Sequence, residues 1–112
     1  MPASTAAVLD ALGDATRRSI LDELVDGPLA VGVLAGRLPV SRPAVSQHLR
    51  VLKNAELVVE SVNGTRRLYR INPPGFEVVR RYFDRFWAQT LDNFAALAEA
   101  EAARDNPEES DR

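Results

Sequence analysis

The chain has 112 residues, 46% of them hydrophobic, no cysteine and a net charge of −2. That is enough for one modest core, and it excludes disulfides, thiolate metal sites and thiol redox chemistry by this chain. The longest uncharged run, GPLAVGVLAG at 27–36, is too short to cross a bilayer. MPASTAAVLD lacks the basic-then-apolar layout of a signal peptide, so a cytoplasmic protein with no membrane partner is expected.

The first predicted element is a short Ala-rich helix over 3–12, with Val8, Leu9 and Leu12 at helical spacing. Gly13-Asp14 breaks it, and Asp14 can cap a second helix over 15–25 that buries Ile20, Leu21 and Leu24. Gly27-Pro28 ends that helix. A third helix over 30–37 follows, and Val31, Leu34, Ala35 and Leu38 fit the i, i+3, i+4, i+7 template. After the tight connection LPVS comes a fourth helix over 42–54, in the stretch SRPAVSQHLRVLK.

Then the hydrophobic period falls from 3.6 to 2. LVVESV (57–62) and TRRLYRI (65–71) are β-rich runs joined by Asn63-Gly64, a strong hairpin signal because a type I′ turn needs positive φ at both positions. A loop at Asn63-Gly64 would set Val62 opposite Thr65, Glu60 opposite Arg67 and Val59 opposite Leu68. Pro73-Pro74-Gly75 stops the second strand. A long helix over 75–103 closes the pattern, with Phe76, Val79, Phe83, Phe86, Thr90, Phe94 and Leu97 in one stripe that Trp87, Leu91 and Ala98 widen. The segment 105–112, DNPEESDR, is expected to be a disordered acidic tail; 1–104 would be the folded domain.

The charge is distributed unevenly. Residues 37–70 hold seven basic side chains and two acidic ones, net +5, whereas 1–36 is net −3 and 99–112 is net −4. A local basic block is the footprint of phosphate binding. Its centre is the fourth helix, where Val45, Leu49 and Leu52 share one face. Ser46, Gln47, Arg50, Pro43 and Asn54 share the opposite face. A solvated helix face usually mixes Glu with Lys. This one offers hydroxyl, amide and guanidinium groups and no carboxylate, and those groups pair with base edges: Gln with adenine, Arg with guanine, Ser with either. Ser41 and Arg42 compete for the cap, and Pro43 fits the first turn, where its missing N–H costs nothing. Free N–H groups and the positive end of the helix dipole then point outward.

Short helices joined by a tight turn and followed by a β-hairpin describe a mainly α fold with a β-hairpin wing, the winged helix-turn-helix. The run LGDATRRSILDELVDGPLAVGVLAGRLPVSRPAVSQHLRVLKNAELV (12–58), followed by NGTRRLYRI, resembles the ArsR family of bacterial winged-helix repressors. LGDATRR and SRPAVSQHLRVLKNAELV are its most specific pieces. The resemblance spans residues 5–100 and implies a homodimer, joined through the first and last helices, on a palindromic operator. It puts Ser41, Arg42, Pro43, Ser46 and Gln47 in the major groove and Arg66 and Arg67 on the adjacent backbone or minor groove. Arg50, Lys53 and His48 complete the expected DNA-binding set. Val8, Leu9, Leu12, Phe76, Val79, Phe83, Phe86, Trp87, Leu91, Phe94 and Leu97 are the expected dimer interface. A pocket for an apolar ligand is the other reading of that last stripe.

Two departures from the family pattern stand out. Sensors in the family use cysteines on the third helix, or His and carboxylates on the last helices. Here the third helix reads VGVLAGRL and the last carries Asp84, Asp92 and Glu99 without histidine. Carboxylates alone suit soft or borderline metals poorly. The single histidine, His48, could be a zinc ligand, a phosphate contact or a packed side chain. The sequence therefore resembles the metal-independent branch, with no metal or cofactor expected and no effector specified. Glu56 in NAELV stands where the family usually has Gly; it must either adopt a left-handed conformation or end the helix differently. No nucleophile–base set, phosphate loop or metal cluster suggests an enzyme. The partners expected are double-stranded DNA and a second copy of the chain. A winged helix serving as a protein-interaction module is the competing class, and a basic, polar recognition face argues against it.

Overall fold

The structure is a computed structural model, and it describes residues 3–105. Five helices and three strands follow one another: α1 (Thr5–Leu12), α2 (Ala15–Leu24), β1 (Leu29–Ala30), α3 (Val31–Arg37), α4 (Arg42–Asn54), β2 (Val58–Asn63), β3 (Arg66–Ile71) and α5 (Pro73–Asp105). This is a mainly helical winged helix-turn-helix. The acidic tail expected from 105 lies, beyond Asp105, outside the described residues.

Capping chemistry sets the helix starts. Ser4 Oγ accepts from Ala7 N at 3.3 Å, and Asp14 Oδ1 accepts from Arg17 N at 3.0 Å. The end of α1 is capped by side chains. Arg17 Nε donates to the carbonyl of Ala11 at 2.8 Å, Arg17 Nη2 to Asp10 at 3.2 Å, and Arg18 Nη1 to Leu12 at 2.7 Å. The Asp10 carbonyl also accepts from Gly13 N at 3.1 Å, so the two guanidiniums supplement that backbone cap at the terminal carbonyls and meet the negative end of the helix dipole.

The end of α4 is a Schellman motif. Leu57 N donates to the Leu52 carbonyl and Glu56 N to the Lys53 carbonyl, both at 2.9 Å, with Glu56 at φ +64°. Of the two possibilities for Glu56, the structure takes the left-handed one. Its carbonyl then accepts from Asn72 Nδ2 at 2.8 Å, and Asn72 N donates to the Leu57 carbonyl at 2.9 Å. These bonds tie the entry of α5 to the exit of α4.

The core gathers one face of each early element. Val8, Ile20, Leu24, Leu34, Val45, Leu49, Leu52, Leu57 and Val58 are all buried to 1% exposure or less. Val45, Leu49 and Leu52 turn inward as their helical spacing requires, which leaves the opposite face of α4 to solvent.

The sheet differs from expectation in two ways. First, Leu29–Ala30 forms a short strand where no strand was expected, so α3 starts at Val31 and not at 30; the strand pairs antiparallel with β3, giving the order β1-β3-β2. Second, the hairpin register is shifted. Val62 faces Arg67, Asn63 faces Arg66 and Glu60 faces Tyr69. The two loop residues are Gly64 and Thr65, and only Gly64 has positive φ, +66°. A glycine in the first loop position with one positive φ suits a type II′ turn, not the type I′ turn expected at Asn63-Gly64.

The chain divides into two compact units, one through Arg80 and one from Arg81 onward. In the first, Phe76 and Val79 are half-buried against the core. In the second, Phe83, Phe86, Trp87, Leu91, Phe94 and Leu97 are all exposed, between 48% and 70%. Tyr82 meets Phe83 and Phe86 edge to face, with ring centroids 5.8 and 4.9 Å apart.

Candidate nucleic-acid interface

Ser41 caps α4, its Oγ accepting from Ala44 N at 3.3 Å, and Pro43 stands in the first turn. The competition between Ser41 and Arg42 is thereby settled for Ser41: its extended backbone leaves Arg42 as the first helical residue. Ser41, Arg42, Pro43, Ser46, Gln47 and Arg50 are all exposed.

Between α4 and the hairpin lies an open cleft of about 750 Å³. Arg42, Ser46, Arg50 and Lys53 line it from α4, and Thr65, Arg66, Arg67, Glu60 and Tyr69 from the hairpin, with the start of α3 as floor. Five of the seven cations of the basic block meet here. Arg37 is diverted to Glu23 of α2, its Nη1 3.2 Å from Oε2, and Arg70 is not among the lining residues. Ser41, Pro43 and Gln47 stand on the exposed N-terminal half of α4, outside the cleft lining.

The cleft contains one carboxylate. Tyr69 donates its hydroxyl to Glu60 Oε2 at 2.8 Å. Lys53 Nζ lies 3.7 Å from the same oxygen, and Arg67 Nε lies 4.0 Å from Oε1. The Tyr69 hydrogen bond, with help from the Lys53 and Arg67 charges, holds the Glu60 carboxyl below the usual carboxylate range. Burial and that same carboxylate raise the Tyr69 phenol. The shifted register creates this pair, since Glu60 and Tyr69 face each other only in the observed pairing.

Two expected site residues stand elsewhere. His48 turns away from the cleft toward α2: its Nδ1 is 3.5 Å from Arg17 Nη1 and 3.9 Å from Asp14 Oδ1. Of its three readings, the packed side chain matches this placement. The backbone N–H of Arg17, with its guanidinium and His48 nearby, holds the Asp14 carboxyl below its ordinary value. Val8, expected at a dimer interface, is fully buried in its own chain's core, because its helical phase points it there rather than outward; Leu9 and Leu12 are half-buried. Arg17 is a residue the sequence reading missed. Its one signal was its place in LGDATRR, just after a cap. Among the described residues no three His, Cys, Asp or Glu side chains gather as a metal-binding group, and no helix is long and apolar enough to cross a membrane.

A helix with an uncharged and basic outer face, beside a basic hairpin, defines a winged helix-turn-helix DNA-binding domain. Comparison with known proteins agrees. A helix-turn-helix domain family matches residues 12–61. The HTH-type transcriptional regulator Rv2034 of Mycobacterium tuberculosis is 55% identical over 91 residues, covering 81% of this chain and 85% of that protein. The arsenical resistance operon repressor of Staphylococcus xylosus is 31% identical over 77 residues, 69% of this chain and 74% of its own. The homodimeric winged helix-turn-helix DNA-binding domain of Mb0332 from Mycobacterium bovis, a possible ArsR-family regulator, superposes with a TM-score of 0.59 at 33% identity, covering 79% of this chain and 77% of its own. The chain belongs to the ArsR family of helix-turn-helix transcriptional regulators. It is a DNA-binding regulator and not an enzyme.

Proposed function

We propose that the chain is a homodimeric repressor that binds a two-fold symmetric operator in the cytoplasm, without a metal in its signalling. The observation that carries this reading is the cleft: five cations converge between α4 and the hairpin, beside an N-terminal half of α4 that offers Ser46 and Gln47 without a carboxylate. The cations would meet phosphates, and Ser41, Arg42, Pro43, Ser46 and Gln47 would enter the major groove. Arg66 and Arg67 would reach the flanking backbone.

The homodimer rests on the exposed aromatics of α5. Six large apolar side chains from Phe83 to Leu97 stand unburied in one chain, more than a monomer usually shows as a patch. The Mb0332 domain is homodimeric. Leu9, Leu12, Phe76 and Val79, the other residues expected at a dimer contact, are half-buried within the first unit.

Metal independence rests on donor chemistry. The sequence has no cysteine, so arsenite and soft metals lack their thiolate ligands, and the only histidine faces Arg17. The Staphylococcus xylosus relative is named for arsenical resistance; this chain contains no thiol.

Selection of bound sequences from random duplexes, with the purified full chain, tests the reading. Inverted half-sites spaced by about one helical turn or more are expected. Enrichment of a single asymmetric site, or of nothing, would reject it. Affinity for the selected site should be the same with zinc, arsenite or chelator, and a tenfold change with any of them would reject metal independence.

A further inference from the structure

A regulator of DNA gains nothing obvious from a carboxylate inside its cationic cleft. Glu60 is nonetheless there, 20% exposed, as the sole acid among the lining residues. Two explanations compete: Glu60 could aim Lys53 and Arg67, or its negative charge could act on whatever polyanion arrives.

Magnitudes decide between them. The Lys53 and Arg67 contacts, at 3.7 and 4.0 Å, exceed hydrogen-bond length, and those cations are 52% and 69% exposed. Ion pairs of that kind restrain side chains little. The firm contact is the 2.8 Å bond from Tyr69, and it anchors Glu60 rather than the cations. Tyr69 is itself 8% exposed and sits on the central strand, so the carboxylate cannot easily swing out. Its charge is therefore fixed in place, while its cationic neighbours are held to it only by long, solvent-exposed ion pairs.

We propose that Glu60 is a built-in brake on DNA affinity: a fixed anion that opposes phosphate entry into the cleft and competes for Lys53 and Arg67. The proposal rests on the reading of this cleft as the DNA site. The opposition is felt by any duplex, because every duplex presents phosphates. Occupancy then depends more on the base contacts of α4 and less on charge alone. Glu60 touches no base in this scheme; it acts through the field it sets.

The test is Glu60→Gln, which removes the charge and keeps an oxygen to accept from Tyr69. Glu60→Met, of similar length and also uncharged, stands in if the first variant does not fold. Fluorescence anisotropy with the selected operator and a scrambled duplex, each at several salt concentrations, gives the readout. The uncharged variant should bind both duplexes about three- to tenfold more tightly at low salt, with the gain shrinking as salt screens it. The slope of log affinity against log salt should steepen by up to about one unit per chain. A purely structural role for Glu60 would instead lower the melting temperature and weaken binding. Unchanged or weaker binding by a folded variant would overturn the brake. Arg66→Ala separates the two failures. If it weakens binding while the Glu60 variant fails to tighten it, only the brake is wrong. If it changes nothing, the cleft is not the DNA site and both fall.

Discussion

The backbone carbonyl of Glu56 occupies the space that a side chain on Gly75 would need. The two residues lie on either side of the hairpin, one just past α4 and the other in the first turn of α5. Glu56 takes a left-handed conformation to end α4, Asn72 holds its carbonyl, and Gly75 lets the α5 backbone come down upon it.

Gly75→Ala should accordingly be severe. The methyl would meet backbone, which cannot rotate aside, so the start of α5 must shift. A loss of about 3 kcal/mol or more is expected, at the upper end of overpacking costs. Urea denaturation of the variant measures it, and a loss under about 1 kcal/mol would show that α5 can move freely at its start.

Glu56→Gly should act in the opposite direction. A non-glycine residue in the left-handed region carries a cost of about 1–2 kcal/mol, and glycine is the usual residue after a helix C-cap. Allowing for the greater freedom of glycine in the unfolded chain, a net gain of about 1 kcal/mol is expected in the same denaturation experiment. A loss of stability would mean that the Glu56 side chain makes a contact worth more than its backbone strain.

Gln47→Ala and Arg66→Ala should separate base reading from charge. Gln47 is uncharged, so if it meets an adenine its loss should cost about 1–3 kcal/mol on the operator. Binding to scrambled DNA and the salt slope should hardly change. Arg66→Ala should weaken both duplexes and lower the salt slope by about one unit per chain. Equal weakening of both duplexes by Gln47→Ala would remove α4 from its role as sequence reader.

Phe83→Asp should break the proposed dimer. Phe83 is 55% exposed in the single chain, so the change costs little there, while an unpaired charge in an apolar interface costs several kcal/mol. Light scattering should show wild-type dimers and variant monomers at micromolar concentration. A monomeric wild type would reject the interface outright.

Much of this was legible in the sequence because it is local. Asp14 announces its cap, and the period of Val45, Leu49 and Leu52 fixes which face of α4 looks outward. The choice between Ser41 and Arg42 as cap, and between a left-handed Glu56 and a different helix end, is settled only by the backbone. What was missed is set by contacts distant in sequence. The turn residues alone favoured a loop at Asn63-Gly64, but β1 pairs Leu29 with Tyr69 and Ala30 with Leu68, and burial of Tyr69 fixes which side of β3 faces inward. A two-residue strand shows no periodicity, so neither it nor the register it helps to set could be read. The same holds for His48, whose partners Asp14 and Arg17 lie on another helix, and for Val8, whose burial depends on how α1 meets α2 and α4.

Arg17 spends one guanidinium on three places: the carbonyls of Asp10 and Ala11 at the end of α1, and the imidazole of His48 on α4. The last turn of α1 and the middle of α4 thus share one partner on α2, and fraying of either loosens the guanidinium that the other meets. In terms of local unfolding, these two segments make one cooperative unit rather than two. Their amide protons should share a common opening free energy in hydrogen exchange, even though Ala11 and His48 are 37 positions apart in the chain.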